Sequence, residues 1–89
     1  MTAIEIAARA LATLRSGKDD YDTLTPALRD ALINEVRTVL HSLREPGDRV
    51  AAAGAEVIRN VHPGESPHAF RSDAANTWRF MIDAILSEG

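Results

Sequence analysis

The chain has 89 residues, a formal net charge of −3 and no cysteine. The lack of cysteine excludes disulfides and thiolate metal sites. The mild acidity argues against a non-specific nucleic-acid binder, whose binding face is usually basic. With 45% hydrophobic and 26% charged residues, the composition is that of an ordinary globular protein. A chain of this length predicts one domain, residues 1–89.

The sequence contains no segment that is long and apolar enough to cross a bilayer. Its N-terminus also lacks a basic region followed by an apolar run. We therefore predict a cytoplasmic protein without a membrane partner.

Residues that start and stop helices divide the chain into four predicted α-helices. Thr2 to Glu5 has the form of a capping box and Gly17 suits a helix end, which predicts a helix near 3–16. Thr25-Pro26 places a cap and an N1 proline at the start of a second helix, near 25–44. Pro46 then ends it.

The third helix is predicted near 47–61 and the fourth near 67–87, where Ser66-Pro67 repeats the logic of Thr25-Pro26. The predicted fold is a compact all-α four-helix domain with short loops. Gly54 lies inside the third helix, where glycine costs roughly 1 kcal/mol against alanine. We expect a close approach of another helix there, with a mild kink as the alternative.

Apolar residues at helical spacing give the predicted core, which centres on Trp78 in the last helix. Tyr21 and Leu24 of the first connector are predicted to fold back onto this core. The full set of predicted core residues is Leu11, Leu14, Leu32, Val36, Leu40, Val57, Ile58, Trp78, Met81 and Ile85.

Two clusters could suggest metal chemistry. The acids of the first connector (19–22) lack the alternating spacing, central Gly and distal Glu of an EF-hand loop. His62, Glu65 and His68 resemble half a zinc site, but no third strong ligand lies near them in sequence. The sequence also lacks a phosphate-binding loop and a nucleophile elbow. We predict no metal, no cofactor and no catalytic residue, and hence a protein that is not an enzyme.

Phe80 is the residue that the predicted core does not need. It lies about 160° from Trp78 on the helical wheel. Either the last helix is buried on both sides, or Phe80 anchors a contact with another chain, as aromatic residues often do. The second interpretation predicts a partner-binding surface formed by Phe80, Thr77, Ala84, Arg79 and Asn76.

Four short segments resemble a group of small uncharacterised proteins from phages and prophages of alphaproteobacteria. They are Ile4-Glu5-Ile6-Ala7-Ala8-Arg9-Ala10, Tyr21-Asp22-Thr23-Leu24-Thr25-Pro26, Leu43-Arg44-Glu45-Pro46 and Trp78-Arg79-Phe80-Met81-Ile82-Asp83-Ala84.

The sequence departs from that group at Phe80, where a small residue is more usual, and at Gly47, where a capping Ser is common. The resemblance implies a compact helical accessory protein and transfers no active site. A role in occupying a surface of a host or defence complex, including inhibition of the anti-CRISPR kind, is consistent with it.

Three classes of function follow from these patterns. The leading prediction is a non-enzymatic protein-binding accessory protein that acts on a host protein. The second is a self-associating structural homodimer built through the Phe80 face. The third is a nucleic-acid-associated protein that uses Arg37, Arg44 and Arg79, which the net charge disfavours.

Overall fold

A computed structural model describes residues 1–61 and 63–88 of the chain. Within these residues the chain forms α-helices and a short 3₁₀ helix, and no β-strand. This confirms the all-α prediction, and each predicted helix end lies within one residue of the observed end. The elements are α1 (Ala3–Ser16), the 3₁₀ helix (Tyr21–Thr23), α2 (Pro26–Leu43), α3 (Asp48–Val61) and α4 (Pro67–Glu88).

The predicted caps explain why the ends could be read from the sequence. The Thr2 hydroxyl accepts the backbone N–H of Glu5 at 3.1 Å. Gly17 closes α1 with φ of 76°, a left-handed conformation that glycine adopts without steric cost. The hydroxyls of Thr25 and Ser66 each accept a first-turn backbone N–H, at 3.3 and 3.1 Å, and so cap α2 and α4.

The contacts divide the chain into two compact units. The first unit comprises Met1–Ser42 with Ala84–Gly89, and the second comprises Leu43–Asp83. The first is built mainly from α1, the 3₁₀ helix and α2, whereas the second contains α3 and most of α4.

The core of the first unit is formed by small and medium side chains. Buried Ala8, Ala12, Tyr21 and Leu32 form one cluster, against which Leu24 packs. The prediction that Tyr21 and Leu24 fold back onto the core is therefore confirmed. The buried positions of α1 follow a row at every fourth residue, Ile4, Ala8 and Ala12.

An arginine holds the acidic connector of the first unit in place. The Arg9 guanidinium lies 4.9 Å from the centre of the Tyr21 ring, which is a cation–π distance. Its Nη1 also donates to Asp22 Oδ2 at 3.0 Å. This hydrogen bond lowers the pKa of the Asp22 carboxyl. The connector acids thus include a structural ion-pair partner.

In the second unit, α3 and α4 approach each other closely at Gly54. A Cβ atom at this position would lie 2.8 Å from the Cβ of Ala74, closer than two carbon atoms can pack. Ala74 is itself buried. The predicted close approach at Gly54 is confirmed.

The core prediction is wrong at three positions: Leu14, Val57 and Met81 are exposed, at 80%, 65% and 58%. The prediction assumed that each buried face is a fixed arc along its helix. The buried positions instead follow rows with a spacing of four residues, which drift by about 40° at each step. Large side chains beside these rows therefore lie outside them.

The remaining predictions hold to different degrees. Leu32 is buried. The other six predicted core residues are only partly buried: Leu11, Val36, Leu40, Ile58, Trp78 and Ile85. The Trp78 indole N–H donates to the backbone carbonyl of Leu43 at 2.7 Å. Leu43 is the last residue of α2, so this bond satisfies a carbonyl that has no partner within the helix. Trp78 therefore acts as a hydrogen-bonding residue as well as an apolar one.

The approach at Gly54 gives a first prediction. Gly54→Ala improves helix propensity by about 1 kcal/mol but introduces overpacking that typically costs about 1–3 kcal/mol. Because the contact is with the short side chain of Ala74, which cannot swing away, we expect a net loss of stability of up to about 2 kcal/mol. Urea denaturation of Gly54→Ala, Ala74→Gly and the double variant measures it. The double variant should be more stable than additivity of the single changes allows, and additive effects would contradict the contact.

A second prediction concerns the Trp78 indole. Trp78→Phe keeps an aromatic ring but removes the donor to Leu43, which should cost about 1 kcal/mol. Trp78→Ala should cost more, yet less than the ~3–5 kcal/mol of a fully buried aromatic, because the ring is only partly buried. Thermal denaturation followed by circular dichroism checks both changes. If Trp78→Phe melts like the parent, the hydrogen bond contributes no stability.

Candidate functional site

The exposure of Phe80 distinguishes the two interpretations of this residue. Its side chain is 75% exposed, so α4 is not buried on both sides at this point. An exposed phenylalanine does not stabilise the chain that carries it, because its ring remains in water. It is instead available to pack against another molecule.

Met81 extends the apolar area beside Phe80. It is exposed as well, and Thr77 lies three and four residues before the two, on the same side of α4. We call Asn76, Thr77, Phe80 and Met81 together the Phe80 surface. Sequence reasoning missed Met81, since it placed this residue in the core. The adjacency of two large apolar residues in a helix was the signal that could have found it, because a narrow buried face rarely holds both.

The polar members of the Phe80 surface are held by hydrogen bonds within α4. The Thr77 hydroxyl donates to the backbone carbonyl of Asp73 at 2.8 Å. The Asn76 side-chain oxygen accepts from Arg79 Nη1 at 3.0 Å. Because these bonds limit the rotamers of Asn76 and Thr77, the rim of the surface is partly preorganised.

Arg79, which the sequence predicts as part of the partner-binding surface, forms an ion pair within the second unit. Its guanidinium faces the Glu45 carboxylate, with Nη2 at 2.8 Å and Nε at 3.1 Å from Oε2. This ion pair ties Arg79 to the segment before α3, while its Nη1 donates to Asn76 of the Phe80 surface. Ala84, the remaining predicted residue, is exposed and belongs to the first unit.

The arginine pair of the second unit forms a connected ion-pair network. Arg44 donates from Nε and Nη2 to the two carboxylate oxygens of Asp83, at 2.9 and 3.1 Å. Its Nη1 also lies 3.2 Å from Glu45. The segment between α2 and α3 is thereby tied to α4 by charge-assisted hydrogen bonds, which are stronger than neutral ones.

These contacts bear on the nucleic-acid alternative. Besides Arg44 and Arg79, Arg37 donates to the backbone carbonyl of Leu86 at 3.1 Å within the first unit. All three arginines of that alternative are thus engaged by groups of the protein itself. A phosphate would compete with those groups for the guanidinium N–H donors.

The network shifts the ionisation of its members. Hydrogen bonding from Arg79 lowers the pKa of the Glu45 carboxyl below its ordinary value near 4.5. The Asp83 carboxylate raises the pKa of Arg44. Both shifts come from pairing of opposite charges, so the folded second unit favours the ionised form of the Glu45 carboxyl.

Two open apolar depressions mark the surface of the first unit. One, of about 330 Å³, is lined by Leu24, Leu28 and Leu32, and the other, of about 400 Å³, by Leu11, Val36 and Leu40 among others. The hydroxyl of Ser16, at the edge of the first, lies 3.0 Å from the backbone carbonyl oxygens of Ala12 and Lys18, either of which can accept its single O–H.

The described residues bear on the predicted absence of metal and membrane sites. Among residues 1–61 and 63–88, no group of three His, Asp or Glu side chains is placed to hold a metal ion. His62, which the sequence pairs with Glu65 and His68, lies outside the described residues. Across the described helices, none is long and apolar enough to cross a membrane.

Comparison with known proteins gives no relative. No protein-family model, no curated protein and no solved structure matches this chain. The resemblance to small phage proteins therefore stays a prediction, and function has to be argued from the chain's own surfaces.

The lowered pKa of Glu45 gives a third prediction. A carboxyl with a lower pKa in the folded protein stabilises it above the unfolded-state pKa, and the contribution is lost as the pH falls through the folded pKa. Glu45→Gln should therefore melt below the parent at neutral pH, and the two should converge as the pH falls below about 4.5. Thermal melts between pH 2.5 and 7.5 measure the difference.

Glu65→Gln serves as the matched control, because it removes an exposed carboxylate from the loop before α4. A pH-independent difference between Glu45→Gln and the parent would contradict the role of the ionised carboxylate.

Proposed function

We propose that this protein is a non-enzymatic protein-binding module and that its Phe80 surface anchors a partner protein. The observation that carries the proposal is the 75% exposure of Phe80 on a regular, well-capped helix. A large aromatic side chain in water is unfavourable for the isolated chain, and the contact it makes with a partner recovers that free energy.

The energetics of such an anchor are adequate for binding. Burying one phenylalanine or methionine side chain contributes about 1.5–3 kcal/mol. Aromatic anchors near the centre of an interface often contribute about 2 kcal/mol or more when they are truncated to alanine. Phe80 and Met81 together therefore form an apolar centre, and Asn76 and Thr77 form a polar rim.

These properties define the partner's binding site by its chemistry. It should offer an apolar pocket for the Phe80 ring, with hydrogen-bonding groups at the edge for Asn76 and Thr77. The resemblance to phage accessory proteins supports a partner in a host or defence complex, which the module would inhibit by covering one of its surfaces.

The nucleic-acid alternative has less support. Its three arginines have partners inside the protein, and the net charge of −3 repels a phosphate backbone. A homodimer through the Phe80 surface stays an alternative that the same experiment separates.

The fourth prediction tests the anchor with Phe80→Ala. The change should leave the melting temperature within about 2 °C of the parent, because an exposed side chain contributes little to folding. Binding to the partner should weaken at least about thirtyfold, the equivalent of ~2 kcal/mol. The partner is first captured by photo-crosslinking at Thr77 in a lysate of the source organism, and the affinity is then measured with purified components.

Leu14→Ala is the matched control, since Leu14 is 80% exposed, in the first unit. It should keep the parent's affinity. The proposal fails if Phe80→Ala binds like the parent, or if it unfolds while Leu14→Ala does not. If instead the crosslinked species is a second copy of the chain and light scattering shows a dimer that Phe80→Ala dissociates, the homodimer alternative is correct.

A further inference from the structure

The most apolar side of α3 is not the side that faces α4. Val50, Ala53, Val57 and Val61 are all exposed, and Val57 and Val61 are 65% and 66% exposed. Their spacing of three and four residues places them in one stripe along α3, within an arc of about 80°. We call these four residues the valine stripe. Of these four residues, Val57 was predicted from the sequence to lie in the core.

The contact of Gly54 with Ala74 explains why the stripe stays outside. The partly buried side of α3 contains Ala51, Ala55 and Ile58 together with Gly54. Rotating α3 to bury Val57 would move Gly54 away from Ala74 and bring a larger side chain into a gap too narrow for one methyl group. The orientation of α3 is therefore fixed within the second unit.

We propose that the valine stripe binds the valine stripe of a second copy of this chain, with the two α3 helices antiparallel. A two-fold dimer brings the same patch of both copies together, so the patch has to complement itself. This inference goes beyond the proposed function, because it concerns a different helix and needs no residue of the Phe80 surface.

Charges beside the stripe supply the complementarity. Arg49 and Glu56 are exposed and seven residues apart, so they lie on the same flank of the stripe. In an antiparallel two-fold pair, a given flank of one helix faces the same flank of the other helix. Arg49 of each copy then lies opposite Glu56 of the other, and the two-fold axis forms this pair twice.

A parallel pair would lack this match. It would set the flank with Arg49 and Glu56 against the opposite flank, which carries Ala51 and Ile58 and no charge. Within its own chain Glu56 pairs with Arg59 at 2.9 Å, three residues away on an exposed face. Such exposed pairs contribute little, so Glu56 can exchange partners at small cost.

With Arg49 of each copy opposite Glu56 of the other, a small residue lies at the point where the two α3 helices cross. The point halfway between Arg49 and Glu56 lies next to Ala53, the smallest side chain of the stripe. A small residue at a crossing lets two helices approach closely, so that the neighbouring Val50 and Val57 side chains can pack on the partner.

The oligomeric state of the 89-residue chain is measured by sedimentation equilibrium at about 5 to 500 μM. Circular dichroism verifies the fold of every variant. The parent should be a dimer in the upper part of this range. Val57→Asp should be monomeric throughout. Phe80→Ala should dimerise like the parent, which separates this inference from the proposed function.

Charge reversal then tests the orientation. Arg49→Glu alone and Glu56→Arg alone should each weaken dimerisation about tenfold, because each creates two like-charge contacts. The double variant restores opposite charges and should return to within about threefold of the parent. These positions are exposed, so the test stands even if Val57→Asp fails to fold.

A disulfide trap gives a second measurement, since the chain has no cysteine of its own. Ala53→Cys should form a covalent dimer on mild oxidation, whereas Arg59→Cys, on the far side of α3, should not. The proposal is overturned by a monomeric parent at 500 μM, by a dimer that Val57→Asp leaves intact, or by charge reversals that fail to compensate each other.

Discussion

The close contact of Gly54 with Ala74 is the constraint on which the second unit depends. It lets α3 and α4 approach to a distance at which an added methyl group would lie 2.8 Å from its neighbour. At this separation many weak dispersion contacts become available along both helices. The same contact fixes which side of α3 faces inwards, and so decides that small residues are packed while the valines remain outside.

The helix ends could be predicted from the sequence because capping is a local interaction. Thr2, Thr25 and Ser66 bond to backbone groups three residues away, and Gly17 takes a conformation that favours glycine. Such signals need no knowledge of tertiary structure. The rotation of each helix is a different matter, because it depends on which neighbour comes closest. Leu14 and Val57 were misplaced for that reason, since alanines in α1 and a glycine in α3 offer a closer approach than large side chains do. Met81 was misplaced because the buried row of α4 passes through its neighbour Ile82.

The candidate site also has one part that the sequence predicts and one part that depends on tertiary structure. Phe80 could be found from the sequence because a helical wheel shows it opposite Trp78, and an isolated aromatic on that side has no local explanation. The ion pair of Arg79 could not be predicted from the sequence, because Glu45 lies 34 residues away in the chain. No periodicity encodes such a pairing. Glu45 comes next to Arg79 only when the segment between α2 and α3 folds against α4.

The distribution of side-chain sizes links stability to association in this protein. Among the described residues, three of the eight buried apolar residues are alanines, whereas Leu14, Val57, Val61, Phe80 and Met81 are exposed. Alanine buries little area, so each such contact stabilises the fold only modestly, at roughly 25 cal/mol per Å². These exposed apolar side chains can contribute their full burial free energy only when another molecule covers them. A small chain built in this way has limited stability from its own core. In this chain the exposed large apolar side chains include those of two separate surfaces, the valine stripe on α3 and the Phe80 surface on α4.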